Sequence, residues 1–142
     1  MKYRHVIIGL VFSLLFSSKA FSEADSRVMV ELPDMMKSHT LQNMRGHLVA
    51  IDQLLMLLAE DKMDDASDLA EAELGMSSLT KHGANHVGAF YPEGMRQAGT
   101  AMHRAASQFS RVAQEGDVLA AYKALRNITA ACNVCHAGYR LQ

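Results

Sequence analysis

The sequence predicts an all-α protein that folds as an antiparallel four-helix bundle. Apolar residues recur every three to four positions in four segments of the chain, which is the spacing of one face of an α-helix. Aromatic residues account for only 6% of the chain and tryptophan is absent, whereas ten methionines are present. Methionine suits helix packing better than a β-sheet, which favours aromatic and β-branched residues.

The N-terminus has the features of a secretory signal peptide rather than of a bundle helix. Two basic residues stand among the first four, an apolar run covers residues 6–16, and Ala20 and Ser22 are small residues at a cleavage spacing. An uncleaved membrane anchor is the alternative, but the apolar run is shorter than the ~20 residues that a bilayer span needs. We therefore assign residues 1–22 to a signal peptide and residues 23–142 to one helical domain.

Removal of the signal peptide makes the remaining domain mildly acidic. It takes away three basic residues and no acidic ones, which lowers the formal net charge from −1 to −4. A domain of this charge without a basic cluster is not expected to bind nucleic acid, and no contact with a membrane is expected after cleavage. Docking on a basic partner protein remains open.

The first two helices are predicted on the N-terminal side of the domain. The first begins at Pro33 and Asp34, which suit the first turn of a helix, and runs to about Asp61. Its apolar stripe advances by four and three positions through Met44, Leu48, Ile51, Leu55 and Leu58. A second, shorter helix is predicted from about Asp64 to Ser77.

The third helix follows a longer connection. Three glycines and a proline interrupt the apolar pattern over residues 80–94, which predicts an ordered but irregular segment. The third helix begins near Pro92 and continues to about Glu115, where Gly116 ends it.

The fourth helix is predicted to begin at Asp117 and to carry apolar residues on one face as far as Tyr139. In an antiparallel bundle, the start of the first helix lies beside the end of the fourth. Residues 33–44 are therefore expected close to residues 132–140.

The sequence Cys132-Asn133-Val134-Cys135-His136 lies in the last turns of this fourth helix and contains both cysteines of the chain. C-x-x-C-H is the attachment motif for c-type haem: two thiols add to the vinyl groups, and the histidine ligates the iron. Cysteines three positions apart lie on nearly the same side of a helix, which suits both thioether bonds. The motif predicts one covalent haem, with Cys132 and Cys135 as anchors and His136 as the proximal iron ligand.

Two other uses of the cysteine pair compete with haem attachment. A C-x-x-C disulfide is compatible with export, but thioredoxin-like pairs open a helix near a βαβ unit, whereas this pair closes one. A structural zinc site would need further ligands at comparable spacing, and the chain has no second cysteine pair.

The stretch Ala130-Ala131-Cys132-Asn133-Val134-Cys135-His136-Ala137-Gly138-Tyr139-Arg140 resembles the C-terminal motif of the four-helix-bundle cytochromes c, the cytochrome c′ family. The resemblance extends over the domain in the number and order of helices. It implies a monohaem electron carrier in the periplasm of a Gram-negative bacterium, with a redox partner protein and no enzymatic activity. It also implies the possibility of a homodimer formed through the first two helices.

Arg140 has two interpretations. The matching arginine of the family implies an ion pair with a haem propionate, and a basic residue near the end of a helix also stabilises its last carbonyl groups.

The ligand on the other face of the iron decides the function that the resemblance implies. A methionine there gives an electron carrier, whereas an open position gives a protein that binds nitric oxide or carbon monoxide. The first turns of the first helix offer Met36, His39 and Met44, and Met36 lies at the edge of the apolar face, about 80° from Met44. Met36-Lys37 also resembles low-spin members of the family, so Met36 is the preferred distal ligand, ahead of His39, Met44 and an open site.

The remaining histidines have ordinary interpretations. His82 and His86 are four positions apart, as in a metal clamp, but Gly83 between them favours a solvated loop. His47 and His103 fall within predicted helices, where a partly exposed or hydrogen-bonded histidine is ordinary. An exported helical protein with a C-x-x-C disulfide and no haem remains the alternative of another class.

Overall fold

Most of the chain that the computed structural model describes, residues 24–142, is α-helical, in agreement with the prediction of an all-α protein. The predicted signal peptide at 1–22 lies outside the described residues. In chain order, the elements are β1 (Val28–Val30), α1 (Asp34–Ala59), α2 (Met63–Glu73), α3 (Ala84–Val87), α4 (Glu93–Ala113), α5 (Val118–Gly138) and β2 (Tyr139–Leu141).

Local sequence explains where the long helices begin. Pro33 and Pro92 directly precede α1 and α4, and each helix has an acidic residue in its first turn. Gly116 has φ 75°, a left-handed conformation that reverses the chain after α4. The Asp117 side chain then accepts a hydrogen bond of 3.0 Å from the backbone N–H of Ala120 and caps α5.

The second helix ends earlier than predicted. It stops at Glu73, and residues Met76–Leu79 form a 3₁₀ turn instead of continuing the α-helix to Ser77. The Glu71 carboxylate accepts hydrogen bonds from the backbone N–H and the hydroxyl of Ser77, and Gly75 has no side chain where that carboxylate passes. These contacts stabilise a tight turn in place of another helical turn.

The connection between the second and fourth helices is irregular, as predicted, but it is not uniformly solvated. It contains α3 and a 3₁₀ turn at Gly88–Phe90. His86 is exposed, whereas His82 is partly buried and its ring contacts His47. The prediction of a solvated loop is therefore wrong for His82, because the chain folds that residue back onto α1.

The helices pack in a chain of neighbours rather than all against all. The most extensive contact joins α4 to α5, and α2 packs against both α1 and α4. A core of fully buried side chains fills the space between these helices, with Leu54, Leu74, Phe109 and Ile128 as its largest apolar members. Direct contact between α1 and α5 is limited, which leaves space between them.

The end of the chain departs from the predicted helix. α5 ends at Gly138, and β2 pairs in parallel with β1, so that Val28 lies opposite Tyr139 and Met29 opposite Arg140. The prediction that Tyr139 and Arg140 lie on the last helical face is therefore wrong, because both residues belong to a short strand. The pairing satisfies backbone groups of both segments and brings the start of the domain beside the cysteine motif.

Within residues 24–142, no helix combines the length and the apolarity that crossing a bilayer requires.

Candidate functional site

A cavity of about 300 Å³ lies where the beginning of α1 meets the end of α5 and β2. It is lined by Arg27, Thr40, Leu41, Met44, Met95, Cys135, His136, Tyr139, Arg140 and Leu141. Three of the predicted site residues, Cys135, His136 and Arg140, thus share one cavity. The predicted proximity of residues 33–44 to residues 132–140 is also confirmed by this lining.

The cysteine motif occupies the last turns of α5, as predicted. Cys132 is partly buried and packs against the hydrophobic core, whereas Cys135 and His136 line the cavity. Burial raises the pKa of both thiols, and the neighbouring Cys132 raises that of Cys135 further. Reactive C-x-x-C pairs of redox enzymes have a lowered thiol pKa, so this environment does not favour disulfide exchange.

The wall opposite the motif is largely apolar. Leu41, Met44 and Met95 supply aliphatic and thioether side chains, and Tyr139 closes one end. Gly94 leaves room at this end, because a Cβ atom there would force the Tyr139 hydroxyl group to shift. A cavity of this kind suits an apolar ligand with a few polar groups at its edge.

Arg140 supplies an unused hydrogen-bond donor at the cavity. Its Nε atom is buried and has no hydrogen-bond partner among the described residues. The Asp25 Oδ2 atom lies 3.3 Å away and forms an ion pair with it, but this contact lacks the geometry of a hydrogen bond. A buried guanidinium N–H without an acceptor is costly, and a carboxylate on a ligand would satisfy it.

Asp25 and Arg27 hold the edge of the cavity next to Arg140. The Arg27 guanidinium donates to both carboxylate oxygens of Asp25, at 2.9 Å and 2.7 Å, and a third bond of 3.4 Å reaches the His136 carbonyl. The side-chain hydrogen bond from Arg27 lowers the pKa of Asp25 to about 2. These contacts link the residues before β1 to the end of α5.

The candidates for the distal ligand are in different environments. Met44 lines the cavity, whereas Met36 is partly buried and is not among the lining residues. The Met36 carbonyl accepts a 2.8 Å hydrogen bond from the Thr40 hydroxyl, which lies 2.6 Å from the Tyr91 hydroxyl. His39 Nε2 is 2.8 Å from the His82 carbonyl, so its N–H donates away from the cavity.

Met95 lines the cavity but was not among the residues that the sequence singled out. It stands in the first turn of α4, directly after the irregular connection. Its position near the N-terminus of that helix was a usable signal, since in an antiparallel bundle the start of the third helix lies at the same end as the start of the first.

No protein-family model matches the chain, and comparisons with curated proteins and with solved structures find no match either. The resemblance to the cytochrome c′ family therefore rests on the sequence motif.

Proposed function

We propose that this chain is a monohaem c-type cytochrome that carries electrons and is not an enzyme. In this proposal the helices form an antiparallel four-helix bundle, and the haem is held covalently by Cys132 and Cys135 with His136 on the iron. The observation that carries it is that Cys135 and His136 of a C-x-x-C-H motif line an apolar cavity, where the Arg140 Nε–H has no hydrogen-bond partner among the described residues.

The residues around the cavity fit a haem group. When bound, haem iron supplies a one-electron redox couple, with a potential set by its axial ligands and by the polarity around it. His136 would hold the iron from one side, and the buried Arg140 Nε–H would donate to a propionate. Leu41 and Met95 would keep water from the macrocycle and so favour the less charged, reduced iron.

Location and partners follow from the proposed attachment. Covalent haem is attached outside the bacterial inner membrane, which is consistent with the signal peptide predicted at residues 1–22 and with a periplasmic protein. The electron would be exchanged with a redox partner protein whose docking face is basic, because the domain carries a formal charge of −4 after removal of three basic residues from a chain of −1.

Haem attachment is tested by expressing the chain with its signal peptide in a bacterium that has a cytochrome c maturation system. Haem that stays with the polypeptide after denaturation is expected for the wild type and is lost when both Cys132 and Cys135 are replaced by serine. A Cys→Ser protein that retains covalent haem, or a wild type without any, contradicts the proposal.

The distal ligand is proposed to be a methionine, with Met36 preferred by the sequence and Met44 by the lining of the cavity. Alanine variants of the two, each loaded with haem, distinguish them. Replacement of the true ligand converts a low-spin absorption spectrum to a high-spin one, whereas the other variant keeps the wild-type spectrum. Met95→Ala serves as a third variant, because that thioether also lines the cavity.

A gas-binding function is the second candidate, and it is favoured by the position of Met36 outside the lining of the cavity. If no side chain holds the sixth position, the iron is open to nitric oxide or carbon monoxide. The wild-type spectrum would then be high-spin before any substitution and would shift when carbon monoxide is added to the reduced protein. A low-spin wild type that does not respond to carbon monoxide excludes this candidate.

A further inference from the structure

Three histidines from separate parts of the chain meet away from the haem cavity. His47 comes from α1, His103 from α4, and His82 from the connection before α3. Each histidine offers one ring nitrogen, and these three nitrogens all lie within 4.8 Å of one another. His47 and His103 are buried and His82 is partly buried, and none of the three lines the haem cavity.

A backbone carbonyl fixes the orientation of one ring. His103 Nδ1 lies 2.7 Å from the carbonyl oxygen of Leu74, which can only accept a hydrogen bond. The Nδ1 atom therefore carries the proton, and Nε2 keeps its lone pair. The Ser78 hydroxyl also lies 3.4 Å from this Nδ1 atom and 3.3 Å from His82 Nδ1. A histidine that ligates a metal commonly donates its other ring N–H to a backbone carbonyl, so His103 would bind an ion through Nε2.

The distance between the His47 and His82 rings suits a zinc ion. His47 Nε2 and His82 Nδ1 are 3.4 Å apart. Two nitrogens that each lie ~2.0–2.1 Å from a tetrahedral zinc ion are about 3.4 Å from one another. The same 3.4 Å separation also permits an N–H···N hydrogen bond between neutral rings. The third histidine therefore distinguishes a metal site from a hydrogen-bonded pair of histidines.

The electrostatic environment keeps the three rings neutral. Burial lowers the pKa of His47 to about 4, and it lowers the pKa values of His82 and His103 as well. Neutral imidazole is the form that binds a metal ion, so no proton has to be displaced from the ligating nitrogens at neutral pH. The Glu73 carboxylate, which is paired with Lys81 at 2.5 Å, supplies negative charge near His47 and His82.

We propose that His47, His82 and His103 bind one divalent transition-metal ion of the zinc class, as three nitrogen ligands with a fourth position left for water. Three imidazoles around one point are a ligand set that suits zinc and copper and does not suit calcium or magnesium. The ion would tie the irregular connection to α1 and α4, which is a role in stability rather than in electron transfer. This inference is independent of the proposed haem attachment.

The test uses the mature chain with both thiols of the cysteine motif blocked, by haem or by alkylation, and stripped of metal with a chelator. Titration with zinc chloride in a calorimeter is expected to give one ion per chain and a rise in the melting temperature, since a ligand that binds only the folded state stabilises it. No binding, or binding that leaves the melting temperature unchanged, overturns the proposal.

The matched variants are His82→Asn and His86→Asn. Both histidines belong to the same connection, but His86 is exposed and lies outside the cluster. Loss of a ligand is expected to weaken zinc binding by ~100-fold or more, whereas His86→Asn should bind as the wild type does. Equal affinity of the two variants contradicts the assignment.

X-ray absorption at the zinc edge keeps the test decisive if the His82 variant does not fold. Three nitrogen ligands at ~2.0–2.1 Å are expected for the wild type, whereas a sulfur ligand at ~2.3 Å would place the ion at the cysteine motif and overturn the proposal. The two proposals fail separately. A protein that carries haem but binds no zinc contradicts only the histidine site, and a protein that binds zinc but carries no haem contradicts only the haem attachment.

Discussion

Single residues at the edge of the cavity set its charge. Asp25 lies between two arginines, receiving hydrogen bonds from Arg27 and pairing with Arg140. Both guanidinium groups stabilise the ionised carboxylate, which is why its pKa is lowered. A propionate that binds Arg140 would compete for the same positive charge, so the carboxylate and the ligand are electrostatically coupled.

The first prediction concerns the titration of Asp25. Because its pKa is about 2 in the folded protein against an ordinary value of 3.8, its stabilising effect is present above pH 3.8 and is lost as the pH falls through 2. Replacement of Arg27 by glutamine removes the main hydrogen bonds, so the pKa should rise towards 3.8. Carboxyl chemical shifts in an NMR titration measure both values, and an unchanged midpoint in Arg27→Gln would refute this explanation.

Some residues of the site were predictable from the sequence and others were not. Cys132, Cys135 and His136 form a contiguous motif with a defined spacing, so their placement on the last helix follows from local pattern alone. Met95 and the strand position of Arg140 depend on which segments meet at one end of the molecule. Helical periodicity does not contain that information.

Two elements, β2 and α4, come into close contact where α4 begins. Tyr139 of β2 reaches the first turn of α4, and a side chain at residue 94 would collide with its hydroxyl group. Gly99, one turn and a half further along the same helix, has no atom within 4 Å of the position where its Cβ would lie. The two glycines thus stand in one helix but in different surroundings.

The second prediction compares alanine at these two positions. Gly99→Ala should raise the free energy of unfolding by up to ~1 kcal/mol, because alanine is the better helix former. Gly94→Ala gains the same propensity but collides with the Tyr139 hydroxyl, so it should lower stability and displace Tyr139 from the cavity. Denaturant unfolding of both variants measures the difference, and a stabilising Gly94→Ala would show that the contact with Tyr139 is unimportant.

The helices were predictable because residues in the local sequence mark where they begin. Three helices begin where the sequence predicts. A proline precedes α1 and α4, and an aspartate caps α5. The short strands at Val28–Val30 and Tyr139–Leu141 were missed, because a three-residue strand has no periodicity of its own. It exists only through its pairing with a distant segment.

For the whole molecule, the outer face of α1 carries exposed apolar side chains, and the prediction that Leu48 and Leu55 face the bundle core is wrong because Ala50, Leu54 and Leu58 form the buried face. Leu48 is 71% exposed and Val49 57% exposed, and Leu55 and Met56 continue the apolar surface along the helix. Exposed apolar side chains concentrated on one helix face are found at protein–protein contacts. A homodimer through this surface stays a prediction.

The third prediction follows from that surface. We expect a concentration-dependent dimer in sedimentation equilibrium, with Leu48→Glu shifting the population to the monomer, because a buried, unpaired carboxylate in the contact is unfavourable. Leu119→Glu is the control, since Leu119 is 63% exposed but lies at the start of α5. A wild type that stays monomeric at all concentrations, or equal effects of the two variants, would refute a dimer through α1.

The pairing of β1 with β2 also bears on the order of events during folding. Val28 and Tyr139 are separated by nearly the whole domain, and contacts between such distant segments form late because a long loop must close first. We therefore expect the wall that contains Tyr139 and Arg140 to be completed after the helices have formed. In the interval, the thiols of Cys132 and Cys135 would stay accessible from that side, so the proposed haem would be attached before β2 covers them.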